Sequence, residues 1–225
     1  MERFITAITA DGSPTLFDSH WGETFKSRHA AHLESEEVFI RPGIIENPLY
    51  QEKKPFRILE LGFGLATNCR ALLHSVSLKT SFIYTAIEAD LSGLKAMVES
   101  GASGNDRIWM EEILASGKAL PRPGFVVEVV YDSFTNALAK KRGPFEAIFH
   151  DPFSPARNPE GWTEEIAQAL FAELEPGGRL VTYSVSRTAK EIFAKAGFTL
   201  QKIRLPELLH KRESLLATKA GVFPQ

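Results

Sequence analysis

One cysteine, Cys69, stands alone in 225 residues, so the chain can form no internal disulfide and no cysteine-built zinc site, which suits a reducing cytosol. No apolar run approaches the ~20 residues that span a bilayer. The start, MERFITAITADG, has neither a basic n-region nor a long apolar core, so the sequence predicts a cytoplasmic chain without a membrane segment. Net charge is nearly absent too: 26 Lys+Arg against 28 Asp+Glu leave -2, so no chain-wide positive field exists to hold nucleic acid non-specifically. Internal repeats, low-complexity tracts and Ser/Gly linkers are also missing. What remains, 44% hydrophobic and 10% aromatic, is an ordinary globular chain with enough residues for one large domain.

The small net charge hides an uneven spread. Residues 1–50 hold four basic side chains against eight acidic ones, whereas 187–219 hold eight basic (among them Arg187, Lys211 and Arg212) against three acidic. Solvated helix faces account for such a stretch as well as an anionic partner does.

From Phe56 onward, short β-rich runs alternate with helix-length amphipathic stretches, the signal for βαβ units and a parallel sheet. Strands are predicted at 56–61, 82–88, 125–130, 145–150 and 179–184, with helices over 66–75, 91–99, 133–141, 163–174 and 187–196. The runs 198–204 and 213–218 have no helix between them and should pair antiparallel at one edge. The resulting α/β order, a seven-stranded mixed sheet, resembles the Rossmann-like class I S-adenosylmethionine (SAM) dependent methyltransferases. Residues 1–55 differ in character: Phe4 to Asp18 alternates around the turn dipeptide Asp11-Gly12 as in a β-hairpin, and a short apolar run follows at Val38–Ile40. We read 1–55 as an N-terminal extension packed on a main domain of 56–225.

The strongest local signal is the run from Ile58 to Asn68, ILELGFGLATN, an apolar strand ending in a carboxylate and passing through two glycines into a helix. Glycines let the backbone turn tightly and approach a ligand, and the helix start adds a positive end. The second strand ends in Glu88, 24 residues after Gly64, where an acid can accept both ribose hydroxyls of a nucleoside cofactor. Asp132 ends the third strand, within reach of an adenine amine. A dinucleotide is the competing reading, but Thr67 occupies the third small position of the fingerprint, and a loop opening on a carboxylate favours SAM, which has no pyrophosphate.

After the fourth strand comes HDPFSPARNPEGW, with three prolines in thirteen residues to stiffen it. Ligands of open α/β sheets bind beyond the strand carboxyl ends, so this loop overhangs the cofactor. Methyl transfer to an amine requires the nucleophile to be positioned and unprotonated. Asp151 is the candidate catalytic residue, against the alternative of a helix cap or arginine partner, with Phe153 and Trp162 as an apolar floor or base-stacking pair; for Trp162 core packing fits as well as base contact. His29 and His32 lack a third ligand nearby, so no metal is expected.

Residues 151–162, DPFSPARNPEGW, resemble the D-x-F-A/S-P-x-K/R-N-P-x-x-W signature of the methyltransferase domain of the bifunctional tRNA 5-methylaminomethyl-2-thiouridine biosynthesis protein MnmC and its stand-alone relatives, often called MnmD. ELGFGLATN is similar to that family's ELGFGTGLN, the stretch from Asp11 to Ile40 resembles its N-terminal pattern, and Lys211-Arg212-Glu213 its K-R-E before the final strand. The resemblance covers almost the whole chain. It implies SAM-dependent methylation of the amine of 5-aminomethyl(-2-thio)uridine at the wobble position of tRNA, without the FAD-dependent oxidase domain of the bifunctional members.

Carried over by position, the resemblance places Glu60, Gly62, Gly64 and Asn68 on the cofactor loop, Glu88 at the ribose and Asp132 at the adenine. Asp151 borders both cofactor and acceptor; Phe153, Asn158 and Trp162 fall on the substrate loop. Arg157, Arg187, Lys211 and Arg212 would hold phosphates, while Asp11, Ser27 and Glu34 match the N-terminal pattern. The chain departs from that pattern at Ala66, a glycine in the family, at Phe25-Lys26-Ser27 in place of Tyr-His-Ser, and at Leu208-Leu209-His210 in place of Gly-x-Gly. Two other functions fit the residues: SAM-dependent methylation of a small amine, and a methyltransferase-like module that binds tRNA or a protein without turnover.

Overall fold

Alternating residues at the start of the chain form Phe4–Ile8 (β1) and Pro14–Asp18 (β2), antiparallel from Phe4 opposite Asp18 to Ile8 opposite Pro14. The computed structural model describes all residues except 1, 11, 13, 27–29, 51–54, 77–79 and 222–225. Gly12 turns the hairpin at φ +81° and its N–H donates to the Thr9 carbonyl at 2.9 Å; Asp11, its expected partner in the turn, lies outside the described residues. Glu23–Thr24 (β3) adds a third strand to this small sheet.

Next comes a helix that the apolar run at Val38–Ile40 does not announce. It is α-helical over Ala31–Glu34 and widens to π pitch over Ser35–Ile45, the two parts together being α1. Pro42 inside it has no N–H to give, and its carbonyl accepts from Arg179 Nη1 at 2.7 Å. Gly43 lets the helix lie close to the main sheet: a Cβ there would come within 3.0 Å of the Phe149 ring. Val38, Phe39, Ile40 and Ile44 are buried as a result. Asn47 closes the end, its Nδ2 donating to the carbonyls of Gly43 at 2.9 Å and Glu146 at 3.1 Å.

The rest of the chain is the expected Rossmann-like α/β unit. In order it runs β4 (Phe56–Leu61), α2 (Thr67–Ser75), β5 (Phe82–Glu88), α3 (Ser92–Ser100), α4 (Gly104–Ser116), β6 (Lys118–Arg122), β7 (Phe125–Tyr131), α5 (Phe134–Ala139), β8 (Phe145–His150), α6 (Glu164–Glu173), β9 (Leu174–Thr182), α7 (Arg187–Lys195), β10 (Thr199–Arg204) and β11 (Glu213–Thr218). The sheet has eight strands in the order β10-β11-β9-β8-β4-β5-β7-β6, one more than expected. The addition is β6, antiparallel to β7 at the outer edge, where Pro121 costs no ladder bond. β10 and β11 pair antiparallel from Thr199 opposite Thr218 to Arg204 opposite Glu213, as the missing helix implied.

Both faces of the sheet are covered, and alternation along β4 sorts its side chains between them. Ile58 joins Phe39, Phe56, Phe82, Tyr84, Trp109, Phe125 and Phe149 on the face carrying α1 to α4. Leu59 and Leu61 join Ile148, Leu170 and Phe193 on the face carrying α5 to α7. Each large side chain fully buried this way contributes about 1.5–3 kcal/mol relative to exposure. From neighbouring β4 and β8 the chain proceeds outward in opposite directions, to β5 and to β9, so a crevice opens beyond their carboxyl ends.

Candidate active site

That crevice is a cavity of about 630 Å³, within the usual range for small-molecule sites. Its floor is the turn between β4 and α2. Gly62 has φ +86° and Gly64 φ +54°, and a Cβ on Gly62 would lie 2.7 Å from the Asp151 carbonyl oxygen. The residue that departs from the family glycine, Ala66, keeps the left-handed backbone at φ +59° as it opens α2.

The tip of β5 holds this turn. Glu88 Oε2 accepts from the Gly64 N–H at 3.0 Å and Oε1 from the Asp90 N–H at 3.0 Å. Burial raises the Glu88 pKa, partly offset by these backbone donors. Further along the wall Ser133, Phe134 and Thr135 line the cavity at the start of α5.

Asp151 follows β8, its N–H donating to the Leu61 carbonyl at 2.9 Å. Its Oδ2 accepts from Asn68 Nδ2 at 2.8 Å and from the ammonium of Lys26. The Asn68 amide bridges two carboxyl groups, since Nδ2 also donates to Glu60 Oε1 at 2.7 Å, and Tyr84 Oη donates to Glu60 Oε2 at 2.7 Å. Glu60 is pushed up to about 8 by burial and by the neighbouring Asp151 charge. Asp151 is raised by burial, against the opposing pull of Lys26.

An aromatic wall closes the other side. Trp21 stacks on Phe153 with ring centroids 5.5 Å apart, and Phe25 packs on Phe153 at 5.1 Å. The loop carrying Phe153 is fastened at three points: Trp162 Nε1 donates to the Phe153 carbonyl at 2.8 Å, Tyr183 Oη to the Pro152 carbonyl at 3.0 Å, and the Ser154 N–H to Glu23 Oε2 at 3.2 Å. At the far end Lys211 pairs with Glu34 at 2.9 Å above the Tyr183 ring. Among the described residues seven acidic and three basic side chains line the cavity, which therefore favours cationic ligands.

Of the residues singled out in the sequence, Gly62, Gly64, Asn68, Glu88, Asp151, Phe153, Asn158, Lys211 and Glu34 meet on this cavity. Others do not. Glu60 stands behind Asn68, 1% exposed, with both oxygens taken by Asn68 and Tyr84. Asp132 turns outward to Lys140 at 3.1 Å and to the Ser133 N–H at 2.9 Å, leaving the wall to Ser133. Trp162 is 4% exposed, its ring 4.4 Å from that of His150, and it supports the loop from beneath. Arg187 is bound to Glu191 one helical turn on, with its side chain 90% exposed. Arg157 lies outside the wall over Gly22, Arg212 is on the surface, and Ser27 lies outside the described residues. Half of the eight basic side chains in the stretch are ion-paired, Arg187 with Glu191, Lys195 with Glu164, Lys202 with Glu213 and Lys211 with Glu34.

Sequence reasoning missed Lys26, Trp21 and Phe25 as parts of the site. The one signal available was that the chain departs from the family pattern at 25–26, the place where its own chemistry differs.

Residues 107–220 match a family described as S-adenosyl-L-methionine-dependent methyltransferase. The tRNA 5-methylaminomethyl-2-thiouridine biosynthesis bifunctional protein MnmC of Caulobacter vibrioides is 29% identical, over 95% of this chain and 38% of that protein. The protein of the same name from Chromohalobacter salexigens is 27% identical, over 91% of this chain and 31% of its own length. The chain thus spans about a third of these curated relatives. Among solved structures, MNMC2 from Aquifex aeolicus is similar at a TM-score of 0.79 and 28% identity, covering 100% of this chain and 73% of that one. The CurJ carbon methyltransferase, at a TM-score of 0.52 and 15% identity over 88% of this chain and 57% of that one, shares the fold alone.

Proposed function

The chain belongs to the S-adenosyl-L-methionine-dependent methyltransferases, and on that premise we propose that it methylates the primary amine of 5-aminomethyl(-2-thio)uridine at the wobble position of tRNA. The observation that carries this reading is Asp151, a carboxylate fixed between the glycine turn and the aromatic wall. The cofactor fits the residues present. Gly62 and Gly64 leave a cradle that side chains would fill, Glu88 stands where ribose hydroxyls are accepted, and the acidic lining suits a sulfonium. Bound there, SAM supplies an electrophilic methyl group.

The protein's own residues do the rest. Asp151 holds the amine by a hydrogen bond and takes up its proton, a contribution of about 10²–10⁴ in rate for a positioned base. Asn68 fixes the Asp151 carboxylate in orientation through its bond to Oδ2. Trp21, Phe25 and Phe153 exclude water and offer ring faces to the uracil. Arg157 and Arg212, which form no ion pair among the described residues, reach for phosphates outside the cavity. The relatives' names supply the tRNA acceptor in this reading.

The test is incubation with SAM and tRNA bearing the aminomethyl group, followed by nucleoside mass spectrometry. The expected result is a gain of one methyl group at that nucleoside, and a drop of about 10²–10⁴ in kcat for Asp151→Asn with SAM affinity retained. A methyl gain unaffected by the substitution overturns the role of Asp151.

One observation favours a second acceptor, a small amine: half of the basic side chains of the C-terminal stretch are tied up in ion pairs. Salt separates the two readings, because phosphate contacts release counterions and make tRNA methylation fall steeply with ionic strength, whereas a small amine does not.

A further inference from the structure

Among the described residues lining the cavity, Lys26 carries a buried ammonium that the reading above leaves without a task. Lys26 is 7% exposed, its Nζ donates to Asn68 Oδ1 at 3.0 Å and to Asp151 Oδ2, and it lies 4.6 Å from the centre of the Phe39 ring. A buried cation held against two acceptors and a ring face has little room to swing away. It shares with the incoming acceptor the same carboxylate.

We propose that Lys26 is a positioning residue that keeps Asp151 ionised and admits the acceptor amine in its neutral, nucleophilic form. The inference rests on the reading of the acceptor as an amine bound at Asp151. Two like charges on one carboxylate repel, so a second ammonium beside Lys26 loses its proton more readily than it does in water. Asp151 gains in the opposite sense. It is buried and Glu34 faces it from α1, and Lys26 is the cation that opposes both effects; Glu60 on the other side of Asn68 and Tyr183 just beyond β9 face it as groups whose own pKa is raised. Of the other cations lining the cavity among the described residues, Lys211 is committed to Glu34 at 2.9 Å and Arg3 to Asp18 at 2.8 Å. The amine then arrives with its lone pair free. The proton released on N-methylation passes to a carboxylate that is already charged and oriented.

Both effects place the acid limb of the reaction, the pH below which amine and carboxylate are protonated, under the control of one residue. Lys26→Met and Lys26→Gln remove the charge, glutamine keeping a hydrogen-bond donor should methionine destabilise the fold, while Lys26→Arg keeps the charge. The experiment is kcat/KM against pH for methyl transfer to aminomethyl tRNA, together with the Asp151 carboxyl titration followed by 13C NMR in the protein without acceptor. Expected are a shift of the acid limb and of the Asp151 midpoint to higher pH by about 1 unit or more in Met and Gln, and a profile near that of the wild type in Arg. Calorimetric SAM affinity reports that the variants retain the cofactor site. A parallel loss of rate at every pH, or an Asp151 midpoint that does not move, overturns the inference. A wild-type protein that transfers methyl to no amine overturns the acceptor reading instead, and the NMR titration still decides whether Lys26 sets the charge of Asp151.

Discussion

Gly62 and Ala66 share a left-handed backbone, at φ +86° and +59°, yet respond differently to substitution. Alanine at 62 meets both the torsional cost, about 1–2 kcal/mol, and a collision with the Asp151 backbone at 2.7 Å, an overpacking of about 1–3 kcal/mol. Gly62→Ala is therefore expected to lower stability by about 2–5 kcal/mol in urea denaturation and to abolish calorimetric SAM binding. At 66 the strain is already carried. Ala66→Gly relieves about 1 kcal/mol of torsion and loses a buried methyl worth about 0.8 kcal/mol, so a net change within about 0.5 kcal/mol is expected from the same measurement. A loss well above that sinks the argument. His210, at φ +52° where the family pattern has glycine, repeats the arrangement. At both positions a residue other than glycine holds the left-handed backbone that glycine favours. Lys26 is the opposite case: its side chain reaches Asp151 across 125 positions of sequence, and no local pattern encodes a contact of that kind.

The strands and the glycine turn were legible in the sequence because period-2 burial and glycine placement are local properties. Those that escaped notice have local reasons too. In α1 a proline and a glycine interrupt the helical pattern, and in α4 the burial of Trp109, Met110 and Ile113 is flanked by Gly101, Gly104 and Gly117, which read as loop. β6 is an edge strand containing Pro121. The prolines at 151–162 predicted a stiff loop, and of the two readings open for Trp162, core packing and base contact, its burial and the indole N–H bond to the loop's own backbone favour the first. Alternation could not reveal this, since a tryptophan packs inward or outward with equal ease in irregular backbone. Trp162→Phe keeps most of the buried ring and removes the donor to the Phe153 carbonyl, a loss of about 1–3 kcal/mol when an acceptor is left unpaired. The expected outcome is a stability loss in that range together with a raised acceptor KM, as Phe153 moves against Trp21; SAM affinity, set at the other end of the cavity, should hold. Unchanged acceptor KM with the full stability loss would detach Trp162 from the site.

Across the whole molecule, charge is arranged differently from what the linear count suggests. The basic stretch from 187 to 219 is partly spent in ion pairs: Lys211 crosses to Glu34 in the acidic first fifty residues, Lys195 to Glu164 and Lys202 to Glu213. What remains concentrated is the acid of the cavity, and its cost falls on folding. Glu60, carried at about 8 in the fold against 4.5 when unfolded, keeps a proton between those values that the unfolded chain has released. Its contribution to stability is complete below pH 4.5 and is lost as pH rises through 8. His150 acts in the other direction: burial lowers it from 6.5 to about 4, so the unfolded chain binds the extra proton there and stability is lost as pH falls through that window. The two slopes oppose each other below pH 6.5, and only the Glu60 slope remains between 6.5 and 8. Over that interval the wild-type protein is expected to lose about 1–2 kcal/mol from this group. Glu60→Gln, which keeps an acceptor for Asn68 and cannot ionise, should flatten the decline. Urea denaturation of both proteins at the two ends of the interval measures it; a glutamine variant that declines as steeply as the wild type places the pH dependence elsewhere in the fold.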